Sequence, residues 1–209
     1  NLVETTYVLP PTVPEASYRL RIFSPSREIP FAGHPTIGSA HAVLETGFAT
    51  PVDGRLVQEC QAGLLPISVE GKGRFRELFV AAPGARVLVD GAPARARLAT
   101  ILSHIDLGPL GCAFVEGGRR WWVAEFADAD ALRSWSPNHG AIGELARATE
   151  SLGLCVFART QERGLDLVVR AFPAGVGIVE DSASGAANGL IGAFIAEREP
   201  KGHLARGYR

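Results

Sequence analysis

Short stretches of the chain alternate polar and apolar residues with a period of two, which is the pattern of strands with one buried face. Residues 18–23, Tyr-Arg-Leu-Arg-Ile-Phe, show it most clearly. Residues 5–10 are β-branched and aromatic and end at a proline pair, which indicates a short strand and a turn. Further strands are predicted at 64–69, 76–80, 86–89, 112–115, 120–126, 153–158 and 165–173, with a hairpin around Gly117-Gly118.

Helical segments alternate with these strands. Pro35 at the first helical position and Gly47 just past the end predict a helix of about three turns. Residues 94–105 carry apolar side chains at helical spacing and predict an amphipathic helix. Segments 128–135 and 140–152 also have helical patterns, and residues 184–197 form the most apolar predicted helix, rich in glycine and alanine.

The chain contains a degenerate internal repeat. Arg21-x-Phe23 is followed by Glu28, and a loop then leads to the helix at Pro35; Arg170-x-Phe172 is followed by Glu180, and a loop leads to the helix at Ser184. This repetition suggests two similar halves facing each other. The turn that begins at residue 90 predicts their boundary, which gives an N-terminal half at 1–90 and a C-terminal half at 91–209.

Composition narrows the class of protein. The 209 residues are 46% apolar and 21% charged with a net charge of −1, which is typical of a globular protein and not of a disordered segment. This balance argues against nucleic acid as a partner, and no apolar run approaches the roughly 20 residues of a membrane helix. The cysteines, Cys60, Cys112 and Cys155, form no C-x-x-C pair, so we expect no zinc site, no disulfide framework and a cytoplasmic location.

The loop before the first helix has a distinctive chemistry. A helix start at Pro35 places His34 at the N-cap position after Gly33 and leaves the amides of Thr36 and Ile37 without partners. Helix starts carry a partial positive charge and unpaired N–H donors, which suit a carboxylate or phosphate.

The loop at 180–189 leads into the last helix with small residues, which allow a ligand to approach the backbone. Two helix starts opposed across a cleft could hold a small acid. In the alternative interpretation, Asp181, Ser182 and Ser184 are simply helix caps. A hydrolase built from Ser184, His34 and Asp181 is conceivable, but no G-x-S-x-G motif frames the serine.

The motifs resemble one known family. Residues 21–40, which include Pro-Phe-Ala-Gly-His-Pro-Thr, closely resemble the first signature of the PhzF-like family of phenazine-biosynthesis isomerases. Residues 170–189 resemble the second signature, and residues 1–8 resemble the family's early Glu-Thr-(x)-(aromatic)-Val strand. The resemblance spans nearly the whole chain in order.

The resemblance implies a diaminopimelate-epimerase-like α+β fold, in which two similar domains each wrap a curved mixed sheet around a central helix, with the active site between them. It also implies an isomerase without a cofactor, which moves a proton on a small unsaturated carboxylic acid. Glu4 stands in the position of the family's catalytic glutamate, and His34 and Asp181 match its supporting residues. The matching substrate-holding positions are Gly33, Thr36, Ser184, Gly185 and Ala186. A homodimer is expected on the same ground.

The chain departs from the family pattern in places. Ala186 replaces the hydroxyl residue expected after the glycine, which bears on the identity of the substrate. The family's first strands and its Gly-Asn-Pro loop have no counterpart before Glu4, so we expect the N-terminal half to lack its first strands.

Two other functions remain open. One is an amino-acid epimerase or racemase of the same fold, whose relatives use paired cysteines at the two helix starts. The other is a non-catalytic binder of small acids, which would tolerate Glu4→Gln.

Overall fold

The computed structural model describes residues 4–24, 27–81 and 84–209, apart from the Arg74 side chain. The chain folds into two compact units, an N-terminal unit at 1–82 and a C-terminal unit at 83–209. The division falls eight residues before the boundary predicted at residue 90, because the strand Arg86–Leu88 pairs within the sheet of the C-terminal unit.

Among its described residues, the N-terminal unit contains a six-stranded sheet and one α-helix. Its elements are β1 (Thr5–Leu9), β2 (Tyr18–Phe23), β3 (Glu28–Ile29), α1 (Gly33–Glu45), β4 (Arg55–Cys60), β5 (Gly63–Glu70) and β6 (Glu77–Val80). The strand order is β1-β2-β4-β5-β6, and β3 pairs with β2. The β2–β4 pair is parallel and the other pairs are antiparallel, so the sheet is mixed.

The alternation in β2 explains how this unit packs. Its inner-facing residues are buried together with apolar residues of α1, β4 and β5, namely Tyr18, Leu20, Ile22, Ala40, Val43, Leu56 and Ile67. A buried polar chain crosses the same core: the Tyr18 hydroxyl donates to Gln58 Oε1 at 3.0 Å, and Gln58 Nε2 donates to Thr36 Oγ1 at 3.2 Å. Because its hydrogen-bonding groups are paired, Gln58 can be buried without a large desolvation cost.

The C-terminal unit is built on a five-stranded sheet in the order β11-β10-β9-β8-β7. Its elements are β7 (Arg86–Leu88), α2 (Ala92–Ile101), β8 (Leu107–Gly117), β9 (Arg119–Phe126), α3 (Ala129–Ser134), α4 (His139–Ala148), β10 (Leu154–Arg159), β11 (Leu167–Phe172) and α5 (Gly185–Arg198). Strands β9 and β10 are parallel, and the other pairs are antiparallel.

Both faces of this sheet are covered. Trp121 and Trp122, neighbours in β9, point to opposite faces and are both buried. Trp121 joins the cluster around α5 that contains Phe157 and Phe194. Trp122 joins the cluster formed with α2, α3 and α4. The strand predicted at 120–126 is therefore confirmed, as is the predicted α+β class with two similar halves. None of the helices in the described ranges is long and apolar enough to cross a bilayer.

Candidate active site

Glu4 and His34 form the centre of the candidate site in the N-terminal unit. Glu4 immediately precedes β1, and His34 lies in the first turn of α1. Glu4 Oε2 is 3.1 Å from His34 Nε2, with the Glu4 side chain 15% exposed and the His34 side chain 40% exposed. The arrangement places a mostly buried carboxylate next to an accessible imidazole, and these are two of the side-chain types that general acid–base catalysis uses.

Strand register explains why Glu4 faces α1. Thr6 pairs with Ile22 and shares its inner face of the sheet, and the Ser39 hydroxyl of α1 donates to Thr6 Oγ1 at 3.0 Å. Glu4 lies two residues before Thr6, so the period of a strand directs both side chains to the same side. The hydrogen bond between Ser39 and Thr6 was not predicted from the sequence, although period-two spacing from Glu4 identifies Thr6 as its neighbour on that face.

The start of α1 differs from the prediction. The N-cap is Ala32, and the helix begins at Gly33, so His34 is the second helical residue and Pro35 the third. The Thr36 amide is not free, because it donates to Ala32 O at 3.2 Å, and Ile37 lies deeper in the helix. Proline is tolerated throughout a first turn that needs no N–H, which explains the shift. The amides that lack a partner within the helix are therefore those of Gly33 and His34.

Thr36 does not offer a hydroxyl to a ligand in this structure. Its side chain is fully buried, and its Oγ1 accepts the hydrogen bond from Gln58. Substrate binding by Thr36 stays a prediction, and in this structure helical geometry turns its side chain inward two residues after His34. Thr36 instead anchors the first turn of α1 to β4.

The start of α5 contains the second group of predicted residues. Ser184 is the N-cap, its Oγ accepts from the Ala187 amide at 3.4 Å, and it is 7% exposed. The capping interpretation of Ser184 is thus confirmed, and a buried capping hydroxyl is a poor hydrolase nucleophile. Gly185 and Ala186 follow as exposed first-turn residues.

Asp181 lies just before this helix start and is held by the backbone. Its amide donates to Ala171 O at 2.9 Å, and its Oδ1 accepts from the Ala183 amide at 3.1 Å. The side chain is partly exposed, so its second carboxylate oxygen can still meet a ligand. The structure brings Glu4, Gly33 and His34 together within one unit, and Asp181 together with Ser184, Gly185 and Ala186 within the other.

The cysteines lie away from both helix starts. Cys60 ends β4, Cys112 lies in β8 and Cys155 lies in β10. Burial raises the pKa of the Cys155 thiol, and burial is also the main cause of the raised pKa of Cys112. Thiols of this kind are poor bases at neutral pH. Across the part of the chain that the structure describes, no three His, Cys, Asp or Glu side chains are grouped for a metal ion.

Two curated relatives match most of the chain. Antisense-enhancing sequence 1 of Schizosaccharomyces pombe is 30% identical over 207 residues, which is 95% of this chain and 68% of that protein. The trans-2,3-dihydro-3-hydroxyanthranilate isomerase of Pseudomonas aeruginosa is 31% identical over 200 residues, which is 94% of this chain and 66% of the enzyme. The chain thus spans about two thirds of the length of these relatives.

Solved structures show the same fold. The PhzF-family phenazine biosynthesis protein of Bacillus anthracis matches with a TM-score of 0.76 and 25% identity, over 96% of this chain and 68% of that one. A hydroxyproline epimerase from Agrobacterium vitis matches with a TM-score of 0.54 and 14% identity, over 93% of this chain and 60% of that one, which shows the fold alone. The family model described as phenazine biosynthesis-like protein matches residues 1–207. The chain belongs to this PhzC-PhzF family.

Proposed function

We propose that this protein is an isomerase that moves a proton on a small unsaturated carboxylic acid without a cofactor, with Glu4 as the general acid and base. The observation that carries the proposal is the pairing of the mostly buried Glu4 carboxylate with His34 at 3.1 Å. Family membership and relatives that are named isomerases support the reaction class.

The chemistry conserves all atoms of the substrate. The Glu4 carboxylate takes a proton from a carbon next to the conjugated system, and the electron pair of that C–H bond shifts into the double bonds. Glu4 then returns the proton to another carbon of the same system. A carboxylate that is shielded from water is a stronger base than one in solution, and it can act in both steps.

His34 and the helix start stabilise the charge that builds on the substrate. The His34 imidazole can donate to an enolate oxygen as the proton leaves carbon. The amides of Gly33 and His34 lack helical partners, so they are available as additional donors aligned with the positive end of the helix. In the C-terminal unit, Gly185 and Ala186 at the start of α5 are exposed and the Asp181 side chain is partly exposed, so these groups are accessible to a ligand.

An amino-acid epimerase is the second candidate, since relatives include 4-hydroxyproline epimerases. A mechanism with paired thiols at the helix starts needs a cysteine in the first turns of α1 and α5. These turns contain no cysteine. The observation therefore favours the glutamate mechanism over a two-thiol epimerase.

The test is proton exchange in D2O. The protein is incubated with a panel of dihydroaromatic and small unsaturated acids, together with proline and trans-4-hydroxyproline, and NMR follows new isomers and incorporated deuterium. The proposal predicts turnover of an unsaturated acid and its loss in Glu4→Gln. Turnover of the cyclic amino acids alone would establish an epimerase, and binding of an acid without turnover would establish a non-catalytic binder.

A further inference from the structure

The C-terminal unit contains an arginine that holds the loop before α5. Arg170 in β11 donates through Nε and Nη2 to the two carboxylate oxygens of Glu180, both at 2.8 Å. Its guanidinium lies over the Phe172 ring, 4.9 Å from the ring centroid. Its Nη1 donates to the carbonyl oxygens of Leu132 at 3.0 Å and Trp135 at 2.6 Å. The loop that leads to α5 is thereby fixed to β11 and to the end of α3.

The N-terminal unit repeats this arrangement. Arg21 in β2 donates through Nε to Glu28 Oε1 at 2.9 Å and through Nη2 to Glu28 Oε2 at 2.7 Å. Its guanidinium lies over the Phe23 ring, again 4.9 Å from the centroid. We call each trio of arginine, phenylalanine and glutamate a clamp.

The two clamps also share their backbone register. Ile22, which follows Arg21, pairs with Ile29, which follows Glu28. Ala171, which follows Arg170, pairs with Asp181, which follows Glu180. In both units the N-cap of the helix, Ala32 or Ser184, lies four residues after the clamp glutamate. The clamp glutamate therefore lies the same number of residues before each helix. The spacing between the clamp arginine and glutamate differs, with seven residues in one unit and ten in the other.

From this repetition we propose that Arg21 and Arg170, with Glu28 and Glu180, are positioning residues that set the place of the two helix starts. A bidentate guanidinium–carboxylate pair fixes orientation as well as distance, and the aromatic ring beneath it limits rotation of the guanidinium. In one unit the clamp orders the approach to Gly33 and His34, and in the other it orders Asp181. The link to catalysis rests on the proposed function, whereas the ordering of the loops does not.

Stabilisation of the fold is a weaker explanation for the repeat. Both pairs are partly exposed, with Arg21 at 43% and Glu28 at 20%, and Arg170 at 19% and Glu180 at 35%. Such ion pairs each change the folding equilibrium constant by at most about fivefold. Placement of catalytic groups is far more sensitive, since a displacement of about 1 Å can lower a rate about a hundredfold.

The test compares Arg21→Lys and Arg170→Lys with Arg95→Lys. Lysine keeps the positive charge but lacks the two parallel N–H donors with which a guanidinium binds both oxygens of a carboxylate. Arg95 in α2 is a matched control because it also makes a bidentate pair, at 3.1 and 2.7 Å, with Asp90 just before that helix. This pair lies outside the candidate site. Amide hydrogen exchange is measured for each variant, and kcat and KM are measured on the acid identified by the D2O screen.

We expect Arg170→Lys to accelerate amide exchange about tenfold in residues 181–187 and Arg21→Lys to do so in residues 29–36, each only in its own unit. In both variants kcat falls at least about tenfold while KM changes by less than about threefold, and Arg95→Lys leaves both unchanged. Unchanged exchange in these segments, or faster exchange with an unchanged kcat, would overturn the proposal. If the wild type turns over no acid, the proposed function fails, and the hydrogen exchange still decides whether the clamps order the loops.

Discussion

A glutamate side chain is ordinarily solvated, yet that of Glu4 is only 15% exposed. The reason lies in its register, because the period of β1 places Glu4 on the face that packs against α1. His34 then covers the carboxylate from the first turn of that helix. The same pairing gives the imidazole a fixed position from which it can assist proton transfer.

At this scale we predict that His34→Gln slows turnover about a hundredfold, since glutamine can donate a hydrogen bond but cannot carry the proton. His34 is 40% exposed, so folding stability should change little. His41→Gln is the matched control, as His41 is an exposed residue of the same helix. The measurement is kcat of each variant on the identified acid, and a His34→Gln rate within twofold of wild type would contradict the role assigned to the imidazole.

At the level of the elements, the start of α5 is stabilised by a side-chain cap. Ser184→Ala removes the side-chain cap of α5 and should lower the free energy of unfolding by about 1 kcal/mol. Ser182→Ala is the control, because Ser182 is an exposed residue of the preceding turn. Urea denaturation of both variants measures the difference, and equal midpoints would show that the cap contributes nothing.

Gly153, at the entry to β10, allows no side chain. Its φ is +151°, and a Cβ placed there would lie 2.0 Å from the Phe172 carbonyl oxygen. Gly164 also has a positive φ, +84°, but nothing lies within 4 Å of its Cβ position. We therefore expect Gly164→Ala to cost about 1 kcal/mol from backbone strain alone, and Gly153→Ala to cost several times more. Thermal denaturation distinguishes the two, and equal losses would refute the steric argument.

Most elements were predictable from sequence because their patterns are local. β2 was predicted with its observed bounds from strict alternation. β4 was missed because Gln58 is polar at an inner position, and its partners Tyr18 and Thr36 come from distant segments. The N-cap of α1 was misplaced because the position of Pro35 within the first turn is set by packing. Glu4 was predicted as a site residue only through its position in the family motif. The clamps could not be predicted, because a repeated sequence pattern does not show which side-chain atoms form hydrogen bonds.

At the scale of the whole molecule, each unit carries one clamp carboxylate that responds to acid. The hydrogen bond from Arg21 holds the pKa of Glu28 below its ordinary value of 4.5, and the charge of Arg19 acts in the same direction. The hydrogen bond from Arg170 lowers the pKa of Glu180, and the electrostatic effect of the nearby His139 acts in the same direction. A carboxylate with a lowered pKa in the folded state stabilises the fold fully above its unfolded value, and this contribution is lost as the pH falls.

We expect the protein to lose stability as the pH falls below about 4.5, with part of the loss due to the two clamps. The double variant Glu28→Gln and Glu180→Gln should be less stable than wild type at pH 7, with a folding equilibrium constant lowered by at most about thirtyfold, and its stability should decline less steeply towards pH 3. Urea midpoints across this range give the comparison. An unchanged slope in the double variant would mean that other carboxylates cause the acid sensitivity.

Glu4 is the proposed proton carrier, and turnover at saturating acid separates loss of this role from loss of substrate binding. The acid from the D2O screen is given to wild type, Glu4→Gln and Glu15→Gln, where Glu15 is an exposed glutamate outside the site. We expect Glu4→Gln to bind the acid within a few fold of wild type but to turn it over at least about a thousandfold more slowly, while Glu15→Gln is unaffected. Turnover by Glu4→Gln at the wild-type rate would show that Glu4 does not carry the proton.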